Sequence, residues 1–149
     1  MFKKSQILLQ KLHQQQLVLQ ICQKQSKTPS VRLAVANDEA FCFTYAETLD
    51  ILQEAGAELI YFQPIREERL PENIDGLYLP GGYPELYAEA LSQNSSMRTS
   101  IQEAIRAGLP TIAECGGLLY LCRSLQDQAG VCWSMADVIP ANGVKTEKL

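Results

Sequence analysis

Between residues 31 and 113, short apolar segments alternate with single helical segments, and this alternation limits the possible folds more than any other feature. Residues 31–36, 58–62, 76–79 and 111–113 are short apolar runs typical of buried strands. Neighbouring parallel strands need a crossover connection, which a helix supplies. The sequence therefore predicts an α/β domain, with a parallel sheet, helices on both faces and ligands bound beyond the carboxyl ends of the strands.

Local signals predict where the intervening helices begin and end. Thr44 and Glu47 have the spacing of a capping box, and Gly56 is suited to a left-handed helix stop. A further helix is predicted to be capped by Ser95 or Ser96 and to stop at Gly108.

The charge distribution divides the chain into a basic leader and an acidic remainder. Residues 1–37 contain six basic residues and no acidic one, whereas residues 38–149 contain seven basic and all 17 acidic residues, giving net charges of +6 and −10. We interpret residues 1–30 as an amphipathic helix (6–23) followed by a polar linker, and residues 31–149 as the acidic domain. The overall acidity argues against a nucleic-acid partner, and no apolar run has the ~18 residues of a membrane helix.

The five cysteines indicate neither a disulfide framework nor a metal site. Their number is odd, their positions are scattered, and none has zinc-ligand spacing. No secretory signal precedes them, so we expect a cytoplasmic protein in a reducing environment.

Cys115 occupies the turn between a predicted strand and a predicted helix. Two glycines follow it, which is the layout of a nucleophile elbow with cysteine in place of serine. At a helix N-terminus, free amides and the helix dipole favour the reactive thiolate. The alternative is a small buried cysteine at a strand end. That alternative is preferred for Cys122, expected on the inner face of the same helix, and for Cys42 and Cys132.

A Pro-Gly-Gly sequence follows another predicted strand. The amides of Gly82 and Gly116 could form the two halves of an oxyanion hole beside Cys115. Taken alone, a Pro-Gly-Gly sequence after a strand most often forms an ordinary turn, and its significance here comes from the pairing with Cys115.

Two further features concern binding and catalysis: a loop of acidic and aromatic residues, and a histidine. Residues 37–43 place two acids and two aromatic residues after the first strand, where they could bind a polar substrate, dock a partner or form a solvated loop with a buried Phe anchor. Acyl chemistry at a cysteine usually needs an imidazole base, and the one histidine, His13, lies in the leader.

Three motifs together resemble a known family. They read Val-Ala-Asn-Asp-Glu-Ala-Phe-Cys-Phe at 35–43, Leu-Pro-Gly-Gly-Tyr-Pro-Glu at 79–85 and Ala-Glu-Cys-Gly-Gly-Leu-Leu-Tyr-Leu at 113–121. In this order and spacing they are similar to the glutamine amidotransferase domain of cobyrinic acid a,c-diamide synthases, enzymes of cobalamin biosynthesis. The resemblance covers residues 31–149.

This resemblance implies a class I amidotransferase with a flavodoxin-like sheet. Cys115 would attack the side-chain amide of glutamine, Gly82 and Gly116 would bind the oxyanion, and the substrate pocket would include Gly81, Tyr83 and Glu85. The released ammonia would pass to an ATP- and magnesium-dependent synthetase domain, which amidates the a and c carboxylates of a corrin. The resemblance assigns no metal or cofactor to this chain itself.

The sequence departs from the family pattern at two points. It contains no phosphate-binding Gly-x-x-x-x-Gly-Lys-Ser/Thr motif, and residue 149 precedes the segment that carries the family's catalytic histidine. We therefore expect an incomplete amidotransferase domain that is inactive by itself and whose partners are glutamine and either a synthetase domain or a separate chain with the missing histidine segment. The alternative is a catalytically silent α/β module that binds or docks without turnover.

Overall fold

The computed structural model describes residues 31–144, and its central element is a four-stranded parallel sheet. The strands are β1 (Val31–Ala36), β2 (Ala57–Phe62), β3 (Gly76–Leu79) and β4 (Thr111–Ala113). They lie in the order β2-β1-β3-β4. All carboxyl ends therefore point to one edge, and the connections diverge between β1 and β3, the usual position of a ligand site in such sheets. The predicted leader helix, His13 and residues 145–149 lie outside the described residues.

Within residues 31–144, four helices accompany the sheet and confirm the α/β prediction. They are α1 (Ala46–Glu54), α2 (Ala88–Gln93), α3 (Ser95–Arg106) and α4 (Gly116–Leu121), with a 3-10 turn at Pro84–Leu86. Helix α1 follows β1 and contacts β2. No helix among residues 31–144 is long and apolar enough to cross a bilayer.

The main hydrophobic core lies on one face of the sheet, because side chains alternate between faces along each strand. We call this the core face; its strand residues are Ala34, Ala36, Phe62, Leu77 and Leu79, and helices α2 to α4 add Leu91, Met97, Ile101, Tyr120 and Leu121. The opposite face, called the second face, carries a row of residues in register: Tyr61, Val35, Tyr78 and Ile112. Val35 and Tyr78 in the middle of this row are buried, and Tyr61 and Ile112 at its ends are exposed.

Two predicted helix caps are wrong. At α1, Tyr45 occupies the N-cap position and no side chain caps the helix, so Thr44 and Glu47 form no capping box. At α3 the cap is Asn94, whose side-chain oxygen accepts a hydrogen bond from Met97 N. An amide serves better than a serine hydroxyl here, because its nitrogen also donates to Pro64 O at 2.8 Å and ties the helix start to the preceding loop. The predicted stops are confirmed: Gly56 and Gly108 both have φ of +98°.

The second half of the chain differs most from the sequence-based expectation. Helix α4 ends at Leu121, and a small three-stranded sheet follows: β5 (Cys122–Gln126), β6 (Cys132–Ser134) and β7 (Ile139–Gly143), in the order β6-β5-β7. Cys122 is therefore the first residue of a strand rather than a helix residue, although it is buried as expected. The expectation of burial is wrong for Cys42 and Cys132, which are exposed.

Candidate active site

Cys115 lies at the top of the sheet in the predicted strand–turn–helix arrangement. Strand β4 ends at Ala113, and helix α4 begins immediately after Cys115. The backbone of Cys115 has φ of +46° and ψ of −108°, and its side chain is exposed. A non-glycine residue with positive φ is strained, and such strain persists only where surrounding contacts fix the backbone.

The Pro-Gly-Gly loop after β3 meets the start of α4 at van der Waals distance. A Cβ atom on Gly116 would lie 3.0 Å from Gly82 N, and one on Gly117 would lie 2.1 Å from Leu79 O. Neither approach leaves room for a side chain, which explains the two glycines after Cys115. The sequence-predicted pair Gly82 and Gly116 is therefore adjacent in space.

Backbone hydrogen bonds fix this junction. Glu114 N donates to Leu79 O at 3.0 Å, and Gly117 N donates to Pro80 O at 3.0 Å. Within residues 31–144, the amides of Gly82 and Gly116 donate to no protein acceptor. Two unpaired N–H groups therefore lie close together beside Cys115.

The loop at 37–43 supports the site structurally. Asp38 accepts hydrogen bonds from the amides of Ala40 and Ile65, both at 2.9 Å, so its carboxylate orders the loops after β1 and β2. Burial raises the pKa of Asp38 despite these bonds. Phe41 is fully buried, with its ring centroid 5.3 Å from that of Tyr120. The expected buried Phe anchor of this loop is confirmed, and a role of the loop in binding a substrate or a partner stays a prediction.

The neighbouring acid of the same loop forms a surface ion pair. Glu39 accepts hydrogen bonds from the guanidinium of Arg66, which lowers the pKa of Glu39 to about 2. Both side chains are about half exposed, and neither lines the cleft beside Cys115.

Cys115 opens into a cleft of about 420 Å³. Four sequence-predicted residues line it: Cys115, Gly82, Tyr83 and Glu85. The other two predicted residues, Gly81 and Gly116, are buried behind this surface, and Gly81 O accepts a hydrogen bond from Phe43 N at 3.1 Å. The lining residues that sequence reasoning missed are Leu119, Leu125, Gln126, Asp127, Gln128, Gly143 and Val144.

Two of the missed residues, Asp127 and Gln128, belong to the turn between β5 and β6, which Asp127 organises. Its carboxylate accepts hydrogen bonds from Val131 N and Trp133 Nε1, each at 2.8 Å, and from Ala129 N at 2.9 Å. The Trp133 bond, followed by the backbone bonds, lowers the pKa of Asp127. With Glu85, this carboxylate makes the cleft acidic. Asp127 followed by Gly130, just before β6, is a local turn signal that could have indicated this hairpin.

Comparison with known families gives a match over most of the chain. Residues 32–149 match the CobB/CobQ-like glutamine amidotransferase domain. A cobyrinate a,c-diamide synthase of Caldanaerobacter subterraneus is 49% identical over 123 residues, which are 83% of this chain and 27% of that protein. One from Synechocystis is 49% identical over 114 residues, 76% of this chain and 24% of that protein.

A hydrogenobyrinate a,c-diamide synthase of Stutzerimonas stutzeri is 47% identical over 119 residues, 80% of this chain and 27% of that protein. The chain thus spans about a quarter of the length of these relatives. Among solved structures, a putative peptidase E protein from Listeria monocytogenes matches with a TM-score of 0.58 at 13% identity, covering 83% of this chain and 70% of that one. At this identity the likeness shows the fold alone, a flavodoxin-like α/β arrangement.

Proposed function

This chain belongs to the CobB/CobQ-like glutamine amidotransferase family, and from that premise we propose that Cys115 is the nucleophile that releases ammonia from glutamine. The observation that carries the proposal is the strained, exposed Cys115 between a strand end and a helix start, beside two unpaired amides. A group presented in this way can approach a substrate carbonyl in the cleft while the amides receive the developing negative charge.

The chemistry proceeds in two steps that balance. The Cys115 sulfur forms a bond to the side-chain carbonyl carbon of glutamine, the carbon–nitrogen bond breaks, and the thiol proton leaves on the nitrogen as ammonia. Water then attacks the thioester, the carbon–sulfur bond breaks, and the thiol is restored as glutamate departs. The net reaction is glutamine and water to glutamate and ammonia.

The amides of Gly82 and Gly116 would stabilise the tetrahedral oxyanion formed in both steps. Their close approach and lack of a protein acceptor among residues 31–144 support this role. Preorganised backbone donors of this kind typically contribute about 10²–10³-fold to the rate.

Side chains of the cleft would recognise glutamine by its α-ammonium group. Glu85 and Asp127 provide negative charge for the α-ammonium group, and Tyr83 forms a wall beside Gly81 and Gly82. The lowered pKa of Asp127 keeps its carboxylate ionised at neutral pH, which favours a cationic group in the cleft.

We further propose a synthetase as the recipient of the ammonia. The relatives are named for amidation at two positions of cobyrinate or hydrogenobyrinate, and about three quarters of their length lies outside the match. That remainder would bind ATP, magnesium and the corrin, whether or not the corrin contains cobalt. No step at Cys115 runs through ATP or the metal ion.

Both chemical steps require proton transfer, and the described residues include no imidazole to assist it. Residues 31–144 contain no histidine. We therefore expect this chain by itself to react with electrophiles at Cys115 but to hydrolyse glutamine slowly, because no imidazole among residues 31–144 assists either step.

Intact-mass measurement after treatment with a glutamine-like diazoketone tests the proposal. We expect one adduct that glutamine suppresses, that Cys115→Ala abolishes and that Cys42→Ala retains, since Cys42 is an exposed thiol outside the cleft. Labelling spread evenly over the cysteines would contradict a catalytic Cys115. Glutamine binding without any adduct would favour the alternative of a silent binding module.

A further inference from the structure

We propose that Tyr78 and Glu114 are a positioning pair for Cys115: the Tyr78 hydroxyl, by donating to the Glu114 carboxylate, fixes the backbone from which the cysteine projects. This inference rests on the proposed role of Cys115 as nucleophile. It concerns the residue immediately before the cysteine and a tyrosine on the neighbouring strand, neither of which lines the cleft.

The pair is well defined geometrically. Tyr78 lies on β3, its side chain is 5% exposed on the second face, and it stands opposite Ile112 of β4. Two residues further along, Glu114 accepts a hydrogen bond from the Tyr78 hydroxyl at 2.7 Å. A bond of this length to an ionised carboxylate is of the strong, charge-assisted kind.

The hydrogen bond between Tyr78 and Glu114 holds the turn that carries Cys115 from the second face, opposite the core. On the backbone side, Glu114 N donates to Leu79 O, and Gly117 N donates to Glu114 O at 2.8 Å. The Tyr78 bond adds the side chain of Glu114, so this residue is held at its N–H, its carbonyl and its carboxylate. Because Cys115 follows directly and has φ of +46°, its strained conformation depends on how firmly Glu114 is held.

The pair also keeps the Glu114 charge on the second face, whereas Cys115 opens into the cleft. Burial and the Glu114 hydrogen bond raise the pKa of Tyr78 to about 12. The hydroxyl therefore remains a donor throughout the pH range in which cysteine labelling is measured.

The test measures the rate at which iodoacetamide alkylates Cys115, followed by peptide mass spectrometry on the full chain. The variants are Tyr78→Phe, Glu114→Ala and Glu114→Gln, and the last retains an oxygen that can accept from Tyr78. Tyr61→Phe is the matched control, because Tyr61 lies in the same row of the second face and is half exposed. The rate at exposed Cys42 in each sample reports general unfolding.

We expect Tyr78→Phe and Glu114→Ala each to slow Cys115 alkylation about tenfold, the order of one charge-assisted hydrogen bond. The double variant should be no slower, Glu114→Gln should recover most of the rate, and Tyr61→Phe should leave it unchanged. Thermal melting within a few degrees of the parent identifies the folded variants; Glu114 is at the surface, so its variants keep the test available if Tyr78→Phe unfolds.

Three outcomes would overturn the inference. Parent-like rates in both Tyr78→Phe and Glu114→Ala, with Cys115 reactive in the parent, would remove the positioning role and leave the proposed function intact. A Glu114→Gln variant as slow as Glu114→Ala would show that hydrogen bonding to Tyr78 is not the cause. A parent protein in which Cys115 reacts no faster than Cys42 would overturn both this inference and the proposed function.

Discussion

The two walls of the cleft beside Cys115 are built in different ways. The first wall is the loop at residues 79–83, and main-chain contacts hold it: Tyr83 N donates to Ala40 O at 3.0 Å, and Phe43 N donates to Gly81 O at 3.1 Å. A Cβ atom on Gly82 would lie 2.0 Å from Ala40 O, so the first wall excludes a side chain at this position.

The second wall is the turn at residues 126–131, where side-chain hydrogen bonds, chiefly those of Asp127, add to two main-chain hydrogen bonds. The carboxylate of Asp127 accepts hydrogen bonds from two backbone amides of the turn and from the indole of Trp133. The pKa of this carboxyl is lowered by those bonds, so the turn depends on its remaining ionised.

The two walls are suited to different roles in a binding cleft. A wall made of packed backbone keeps its amides at fixed positions, as an oxyanion site requires. A wall that depends on side-chain hydrogen bonds can change its shape through one substitution or a change of pH. A surface that determines substrate specificity tolerates such changes. Changes to the first wall should therefore abolish reactivity, whereas changes to the second should alter affinity.

The largest effect is expected from Gly82→Ala. The added methyl group cannot fit against Ala40 O, so the loops after β1 and β3 must separate. We expect the free energy of unfolding to fall by about 3 kcal/mol or more, the upper range for overpacking, and selective labelling of Cys115 to disappear. Urea unfolding and intact mass measure the two effects.

Gly108→Ala is the matched control for this variant. Gly108 has a positive φ but no atom within 4 Å of an added Cβ, so the substitution costs only backbone strain of about 1–2 kcal/mol and leaves labelling unchanged. If the two variants lost equal stability, steric exclusion would not be what defines the first wall.

An intermediate effect is expected from Trp133→Phe, which removes the indole donor and keeps an aromatic ring. Losing this bond loosens the Asp127 turn without touching Cys115. We expect the glutamine concentration that half-protects Cys115 from labelling to rise about three- to tenfold, while the labelling rate without glutamine stays constant.

Cys132→Ser, a change at an exposed neighbour on the same strand, should leave both quantities unaltered. Slower labelling of Trp133→Phe in the absence of glutamine would show instead that the second wall also shapes the reactive group.

The smallest effect is an acid transition confined to the second wall. A carboxyl whose pKa is lowered by folding contributes stability that is complete above its ordinary value of 3.8 and is lost as the pH falls through the lower folded-state pKa. Trp133 is the only tryptophan of the chain, so its fluorescence reports protonation of Asp127. We expect a fluorescence change below pH 3.8.

Asp127→Asn removes the titrating group and should abolish that change while retaining acceptor and donor atoms in the turn. A transition centred above pH 4 in the parent protein would contradict the lowered pKa and assign the signal to another carboxyl.

Much of the first half of the fold was predictable because its signals are local. Apolar runs at the four strands and glycines at the helix stops act within a few residues, and these predictions are confirmed. The predicted serine cap of α3 is wrong because Asn94 also donates hydrogen bonds to Pro64 O and Glu67 O in a distant loop. The sequence around Ser95 and Ser96 gives no sign of those contacts.

The candidate site was predictable in part for the same reason. Cys115 and its following glycines form a local motif, and the structure places Cys115 in a cleft with Gly82, Tyr83 and Glu85; their roles remain predictions. Asp127 was missed because Cys122 was expected on a helix, whereas pairing with β6 and β7 makes residues 122–126 a strand.

The sequence by itself determined the four parallel strands of the central sheet, and hence that the loops after β3 and β4 share one edge of that sheet. Only the tertiary structure decided which atoms meet there: Gly82 against Ala40, Asp127 in the cleft wall, and the hydroxyl of Tyr78 on the carboxylate of Glu114, 36 residues away. Local periodicity depends on neighbouring residues, whereas contacts over such separations depend on how the sheet brings distant segments into register.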